Sequence, residues 1–200
     1  YENIFKLKPG SMLKIKKKDE YIPQNIETLS QEKNDISLSD WWSLSDTYNK
    51  KLIFDECYKS EIETSNYLEN LILKSVKLQL LSDVPIGSFL SGGIDSSLVT
   101  SLMQSASSNS IKTFTIGFDD KKFDESRYAN QIATHLKTDH NHLNLTDLDA
   151  YNLIPSLPEI YDEPFADSSQ IPTYFVSKFA KNKITVALSG DGGDELFGGY

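Results

Sequence analysis

From Ser60 onward the chain carries a helical period. Ser60 and Glu63 stand at capping-box spacing. Leu68, Ile72, Val76 and Leu80 then recur every fourth residue, with Leu71 beside them. That spacing predicts an amphipathic helix with one buried face. The pattern then changes type repeatedly. Residues 85–90 form a short apolar run that reads as a buried strand, and 96–106 read as a helix with Leu98, Val99, Leu102 and Met103 inward. A strand is predicted at 111–117, followed by a helix capped by Asp124 and carrying Tyr128, Ala129, Ile132, Ala133 and Leu136. Residues 140–145 form another strand, 147–160 and 170–181 two helices, and 184–188 a last strand. Tyr174, Phe175 and Phe179 read as core. Strands separated by helices of this length predict βαβ units, hence an α/β fold with a parallel sheet and helices on both faces. In such sheets ligands sit beyond the carboxyl ends of the strands.

The region before Ser60 reads differently. Phe5 and Leu7 alternate with lysines, Pro9-Gly10 is a turn signal, and Leu13 and Ile15 alternate again, so a hairpin is predicted over 4–15. Residues 23–50 lose all periodicity and turn to Ser, Asn, Asp and Lys around Trp41-Trp42, which reads as a linker or crossing segment. The expected organisation is 1–22 as the end of one domain, 23–59 as linker, and 60–200 as the main domain. The tryptophans are expected to pack on that domain, since large aromatics usually bury somewhere. Lys16-Lys17-Lys18 reads as solvated charge at the end of the hairpin.

Composition narrows the function. Two hundred residues carry 20 basic and 29 acidic side chains, a net charge of −9, and Arg127 is the sole arginine. An acidic chain with one guanidinium is a poor binder of nucleic-acid backbones, so no nucleic acid is expected. One cysteine, Cys57, excludes an intrachain disulfide framework and reads as a packing or surface residue. No apolar run reaches the ~20 residues that span a bilayer, and no signal-peptide pattern opens the chain. No membrane partner and a cytoplasmic location are expected.

Two loops at strand ends stand out. Ser91-Gly92-Gly93-Ile94-Asp95-Ser96-Ser97 joins the 85–90 strand to the 96–106 helix. Its glycines permit close backbone approach, and the amides at the helix start face an anion that the helix dipole favours. Phosphate is the natural guest. The order GxxxxGK[ST] is absent, and the loop contains no lysine. The second loop, Ser189-Gly190-Asp191-Gly192-Gly193-Asp194-Glu195, follows the last strand. Carboxylates beside a phosphate repel it unless a cation intervenes, and Mg²⁺ uses one or two carboxylates plus substrate phosphates. Asp95 and Asp194 are the candidate ligands. The acidic spacing of a calcium-binding EF-hand loop is absent. His140 and His142 share a strand face and could suggest a metal pair, but no third ligand accompanies them.

The 91–96 loop resembles the pyrophosphate-binding loop of the ATP pyrophosphatases. Leu81 through Gly87, Asp162 through Ser169, and Ser189 through Tyr200 resemble corresponding segments in the synthetase half of glutamine-hydrolysing asparagine synthetases. The 4–15 hairpin is similar to the closing segment of that family's glutaminase domain. The resemblance implies a three-layer fold of the ATP-pyrophosphatase type with a hairpin remnant before it. It also implies a ligase that activates a side-chain carboxylate with ATP, forming an acyl-adenylate and pyrophosphate, after which ammonia displaces AMP. The expected substrates are ATP, aspartate and ammonia from glutamine, with Mg²⁺ as cofactor and a glutaminase domain upstream. A homodimer is compatible with this reading.

By the same correspondence Leu90, Ser91, Gly92, Gly93, Asp95 and Ser96 lie around the ATP phosphates, and Ile116, Ser189 and Gly190 hold the adenosine portion. Asp95 and Asp194 bind the metal, while Asp191 and Glu195 face the acceptor. Missing loop lysine fits attack at the α-phosphorus, where pyrophosphate leaves as a unit. The family's N-terminal cysteine nucleophile and its catalytic lysine have no counterpart within these residues, so the 200 residues alone are expected to be inactive. Asp191 stands where many members carry Glu, which keeps another acceptor open, such as a surface-polysaccharide sugar acid or a β-lactam precursor. A non-catalytic nucleotide-binding module is the alternative from another class. Argininosuccinate, GMP and NAD synthetases share a related phosphate loop but not the 162–169 and 189–200 segments. The Asp162-Glu163 pair reads equally as substrate contact or loop shaping.

Overall fold

The computed structural model describes residues 4–15, 36–49, 60–122, 124–163 and 166–199. Lys16-Lys17-Lys18, Cys57, Pro164 and Phe165 lie outside the described residues. Two compact units divide the chain, Tyr1–Thr64 and Ser65–Tyr200.

In the first unit, β1 (Ser11–Ile15) pairs antiparallel with β2 (Ile36–Asp40), Leu13 opposite Leu38. The amides of Trp41 and Trp42 both donate to the Gly10 carbonyl, at 2.9 and 3.2 Å, and close the end of this ribbon. The hairpin expected over 4–15 is thereby corrected. Residues 4–8 form no strand, and the partner of β1 comes from the polar stretch read as linker. Phe5 and Leu7 alternate correctly but are exposed, so they supply no buried face to drive pairing. The short helix α1 (Leu44–Asn49) also falls in that stretch. Trp41 is 72% exposed.

The helix α2 (Glu61–Gln79) opens on the expected capping box. Glu63 N–H donates to Ser60 Oγ at 3.4 Å, and Ser60 N–H donates back to the Glu63 carboxylate at 3.1 Å. Only its C-terminal half is covered. Val76 is buried among Leu102, Met103 and Ile111, flanked by Ile72, Leu73 and Leu80, whereas Leu68 and Leu71 are exposed.

The second unit continues β3 (Ile86–Phe89), α3 (Ile94–Ala106), β4 (Lys112–Phe118), α4 (Ser126–Leu136) and β5 (Asp139–Leu145). It then runs through α5 (Asp147–Leu153), a 3₁₀ turn over Ile154–Ser156, α6 (Leu157–Ile160), α7 (Gln170–Ala180), β6 (Val186–Leu188) and α8 (Gly193–Phe197). The single helix expected over 147–160 is thus broken into three. Pro155 and Pro158 interrupt it, because a proline ring removes a donor and clashes with the preceding turn.

All four strands are parallel, in the order β5-β4-β3-β6. Chain direction across the sheet therefore reverses at β3, where β6 returns to its other side. Right-handed crossovers running in opposite directions place their helices on opposite faces. Side-chain parity agrees. Ser88 Oγ meets Thr100 Oγ1 of α3 at 2.8 Å on one face. On the other, Phe114 stands edge-on to Phe179 of α7, with ring centroids 5.8 Å apart. The expected α/β sheet with helices on both faces is observed.

Gly87 in the central strand lets this second face close. A Cβ there would lie 2.7 Å from the Lys112 carbonyl and 2.9 Å from Ile184 Cδ1. Phe114, Ala180 and Ile184 form the buried cluster that fills the space, with Phe89, Val176 and Phe179 around it. On the α4 side the cluster is Leu90, Ala129 and Ala133. Tyr128 is exposed at the helix margin.

Replacing Phe114 with alanine removes a fully buried ring from the centre of the α7 face. We expect a loss of about 3–5 kcal/mol in denaturant unfolding; a change below ~1 kcal/mol would show that this cluster does not hold the layer. A second expectation concerns His140, whose Nδ1 lies 2.9 Å from Thr113 Oγ1. Burial, with His142 adding repulsion, holds its imidazole below the usual value of 6.5. Between that lowered value and 6.5 the unfolded chain binds more protons, so this contribution is complete above pH 6.5 and declines as pH falls. The denaturant midpoint should drop between about pH 7 and pH 5, and His140→Gln should flatten that slope. An unchanged slope in the variant would remove His140 as its source.

Candidate functional site

The site forms where the sheet reverses direction, as the strand-end rule anticipates. Leu90 directly follows β3, its N–H bonded to the Phe114 carbonyl at 2.9 Å and its own carbonyl accepting the Thr115 hydroxyl at 2.5 Å. The chain then enters the Ser91–Ser97 loop, which is tied internally. Gly93 N–H donates to Ser91 Oγ at 3.1 Å, Ser91 Oγ and Ser96 Oγ are 2.9 Å apart, and Ser97 Oγ donates to the Gly93 carbonyl at 2.5 Å. No side chain caps α3, which begins directly after Gly93.

Gly92 serves the loop from behind. Its φ of +97° is left-handed, and a Cβ there would stand 2.8 Å from both Ala129 N and Tyr128 Cβ of α4. The loop thus rests on the first turn of α4.

The second loop meets the first directly. A Cβ on Gly190 would lie 2.6 Å from Ser96 N and 3.0 Å from Asp95 Cβ, and one on Gly193 would collide with the Asp95 carboxylate. Ser189 Oγ donates to Asp191 Oδ2 at 2.9 Å, and Gly193 N–H donates to the Gly190 carbonyl at 3.1 Å. The two loops expected to carry chemistry, about a hundred residues apart in sequence, are therefore packed against each other.

Between and above them lies a cleft of about 710 Å³. Leu90, Ser91, Gly93, Asp95, Ser96, Ile116, Ser189, Gly190, Asp191 and Asp194 line it. Gly92 and Glu195 are not among the lining residues. Gly92 supports the loop from the α4 side, and Glu195 lies on the short α8. The exposed pair Asp162-Glu163 does not line the cleft either. His140 is engaged with Thr113, and among the described residues no group of three or more His, Cys, Asp or Glu could hold a metal.

Several lining residues had escaped the sequence reading. Phe89, Phe114, Pro172 and Val176 build an apolar wall from the α7 side, Thr173 joins it, and Glu125 enters from the start of α4. Glu125 was findable, since it follows the carboxyl end of β4. The α7 residues carried no local signal, because their placement depends on the crossover to the far face.

The parallel sheet brings the first residues of α3, α4, α7 and α8 to this one cleft. Their amides and dipoles favour negative charge. Four carboxylates, Asp95, Glu125, Asp191 and Asp194, line the same space. Such a cleft suits an anion accompanied by a cation.

Comparison with known proteins agrees with this geometry. The family model described as Asparagine synthase matches residues 67–200. The chain is 42% identical over 173 residues to a putative asparagine synthetase [glutamine-hydrolyzing] 2 of Methanocaldococcus jannaschii, covering 84% of this chain and 31% of that protein. It is 44% identical over 133 residues to asparagine synthetase [glutamine-hydrolyzing] 1 of Bacillus subtilis, covering 66% of this chain and 21% of that protein. The chain thus spans less than a third of the length of these curated relatives. An NH3-dependent NAD synthetase from Campylobacter jejuni aligns over 68% of this chain and 60% of its own, with a TM-score of 0.47 and 15% identity. The fold assignment rests on strand order and not on that likeness. With two thirds of its residues under the family model and the phosphate-type and acidic loops joined at the sheet's switch point, the chain belongs to the asparagine synthase family.

Proposed function

We propose that the protein of which these residues form a part converts aspartate to asparagine at the expense of ATP. The observation that carries the reading is the interlocking of the two loops, Asp95 and Ser96 against Gly190 and Gly193. A strand-end loop with an uncapped helix start receives phosphate, and a carboxylate-bearing loop fixed against it can bring a cation and an acceptor to the same phosphorus.

In the first step an oxygen of the aspartate side chain attacks the α-phosphorus. The bond from that phosphorus to the bridging oxygen breaks, and pyrophosphate leaves into the 91–96 loop. Ammonia, released from glutamine by a glutaminase domain, then attacks the acyl carbon; the bond to AMP breaks and nitrogen sheds a proton. Leu90, Ser91, Gly93 and Ser96 cradle the phosphates, with Gly92 setting the loop against α4. Ile116, Ser189 and Gly190 hold the adenosine portion. Asp191, which lines the cleft, and Glu195, on α8, orient the acceptor.

Asp95 and Asp194 fit Mg²⁺ by their chemistry. Both are among the carboxylates lining the cleft, with no all-protein cage among the described residues, and this ion takes one or two carboxylates with the rest of its shell from phosphate and water. When bound it would neutralise the charge building on the departing pyrophosphate. A cytoplasmic setting suits a reaction that draws on ATP.

Two measurements test the reading. In the complete gene product supplied with ATP, Mg²⁺ and ammonia, AMP and pyrophosphate should appear only when aspartate is present. Release with another carboxylate alone would move the acceptor to that compound, and binding of ATP without release for any carboxylate would leave a non-catalytic module. Separately, Asp95→Asn should lower aspartate-dependent pyrophosphate release by ~100-fold or more, as loss of a transition-state charge stabiliser does, while the circular dichroism spectrum is unchanged. Gly190→Ala should act the same way, because its Cβ would force the loops apart. Full activity in either variant would remove that contact from the site.

A further inference from the structure

We propose that Glu125 accepts hydrogen bonds from the ribose hydroxyls of the nucleotide, and so makes the cleft prefer a ribonucleotide to its 2′-deoxy form. The assignment rests on the reading of this cleft as an ATP site.

The position of Glu125 is fixed from three sides. Its carbonyl accepts the N–H groups of Tyr128 and Ala129, at 2.9 and 3.1 Å, and thereby starts α4. The preceding Asp124 Oδ1 accepts Ser126 N–H at 3.1 Å and Phe118 N–H at 3.4 Å, which fastens the start of α4 to the end of β4. One turn further along α4, Tyr128 and Ala129 touch the phosphate loop at Gly92. Glu125 is therefore held about one helical turn, ~5 Å, from the contact that supports the phosphates. Glu125 is exposed to solvent and lines the cleft.

The chemistry restricts what Glu125 can meet there. An ionised carboxylate only accepts hydrogen bonds. The phosphates of ATP are acceptors and anions, so Glu125 repels them. The donors on the nucleotide are the two ribose hydroxyls and the adenine amino group. The base is flat and apolar on its faces, and the wall suited to it is Phe89, Pro172 and Val176 on the α7 side. Glu125 enters from the α4 side, next to the phosphate loop. The group that joins phosphate to base is the sugar, and its vicinal hydroxyls match the two oxygens of one carboxylate. Asp95, Asp191 and Asp194 come from the other two loops, which leaves Glu125 as the carboxylate on the α4 side.

The test is calorimetric binding to the complete gene product with Mg²⁺, using ATP, 2′-deoxyATP, 3′-deoxyATP and ITP. Wild-type protein should bind ATP ~10-fold or more tightly than the 2′-deoxy compound, the scale expected for one hydrogen bond to a charged group. In Glu125→Ala that ratio should fall to near one, through weaker ATP binding. Glu125→Gln, which keeps the shape and one acceptor, should retain part of the preference. Equal loss for ATP and both deoxy nucleotides would mean that Glu125 only shapes the start of α4, and the proposal would fall. Loss of discrimination between ATP and ITP instead would assign the carboxylate to the base and overturn it. The reading of the site fails differently. If nucleotide binds with the predicted ratios but aspartate triggers no pyrophosphate release, the amidation reading falls and the role of Glu125 stands. If no nucleotide binds, both fall.

Discussion

The close approach of the second loop to the first is the contact on which the site depends. Gly190 and Gly193 present bare backbone to Ser96 and Asp95, with no room for a methyl group on either glycine. Two features elsewhere make this approach available. β6 pairs with β3 in parallel register, Ile86 opposite Val186, so both strands deliver their loops at one level. Gly92 seats the first loop against α4, which fixes it from behind. Sheet register and helix packing are thus converted into the separation between the 91–97 loop and the carboxylates of the 189–195 loop.

The electrostatic balance of the cleft follows from the same architecture. In a parallel sheet every crossover helix begins at the carboxyl edge, so the positive ends of several dipoles gather there without any basic side chain. That is how a chain with a single arginine and a charge of −9 can still offer an anion a favourable place. The carboxylates Asp95 and Asp194 oppose that attraction unless a cation joins them. A phosphate guest there would therefore need a cation beside it, and the cation a phosphate to complete its shell.

Much of this could be read in the sequence, and the failures have physical causes. The strands and helices from 60 onward were legible because each alternates or repeats with its own period over enough residues. The loops 91–97 and 189–195 were legible because glycine and carboxylate cluster at strand ends. The hairpin over 4–15 was misread. Local alternation at Phe5 and Leu7 matched a strand, while the actual partner, residues 36–40, lay in a stretch whose polar composition hid its pairing. The long helix over 147–160 failed at two prolines that a periodicity count alone overlooks. The apolar wall from α7 was illegible for a different reason. Nothing local marks Pro172 or Val176 as lining residues, since their role arises only when the chain crosses beneath the sheet.

The strand order also governs how the site comes into being during synthesis. β3, β4 and β5 are neighbours both in sequence and in the sheet, so they can associate as soon as the ribosome releases them. Until β6 emerges, roughly a hundred residues after the phosphate loop, β3 is an edge strand with one unpaired row of backbone donors and acceptors. The 91–97 loop is likewise without the carboxylate-bearing loop that packs on it. Insertion of β6 fills the open edge of β3 and joins the two loops in one event, so the cleft takes shape at the same moment as an exposed strand edge of the nascent chain is covered.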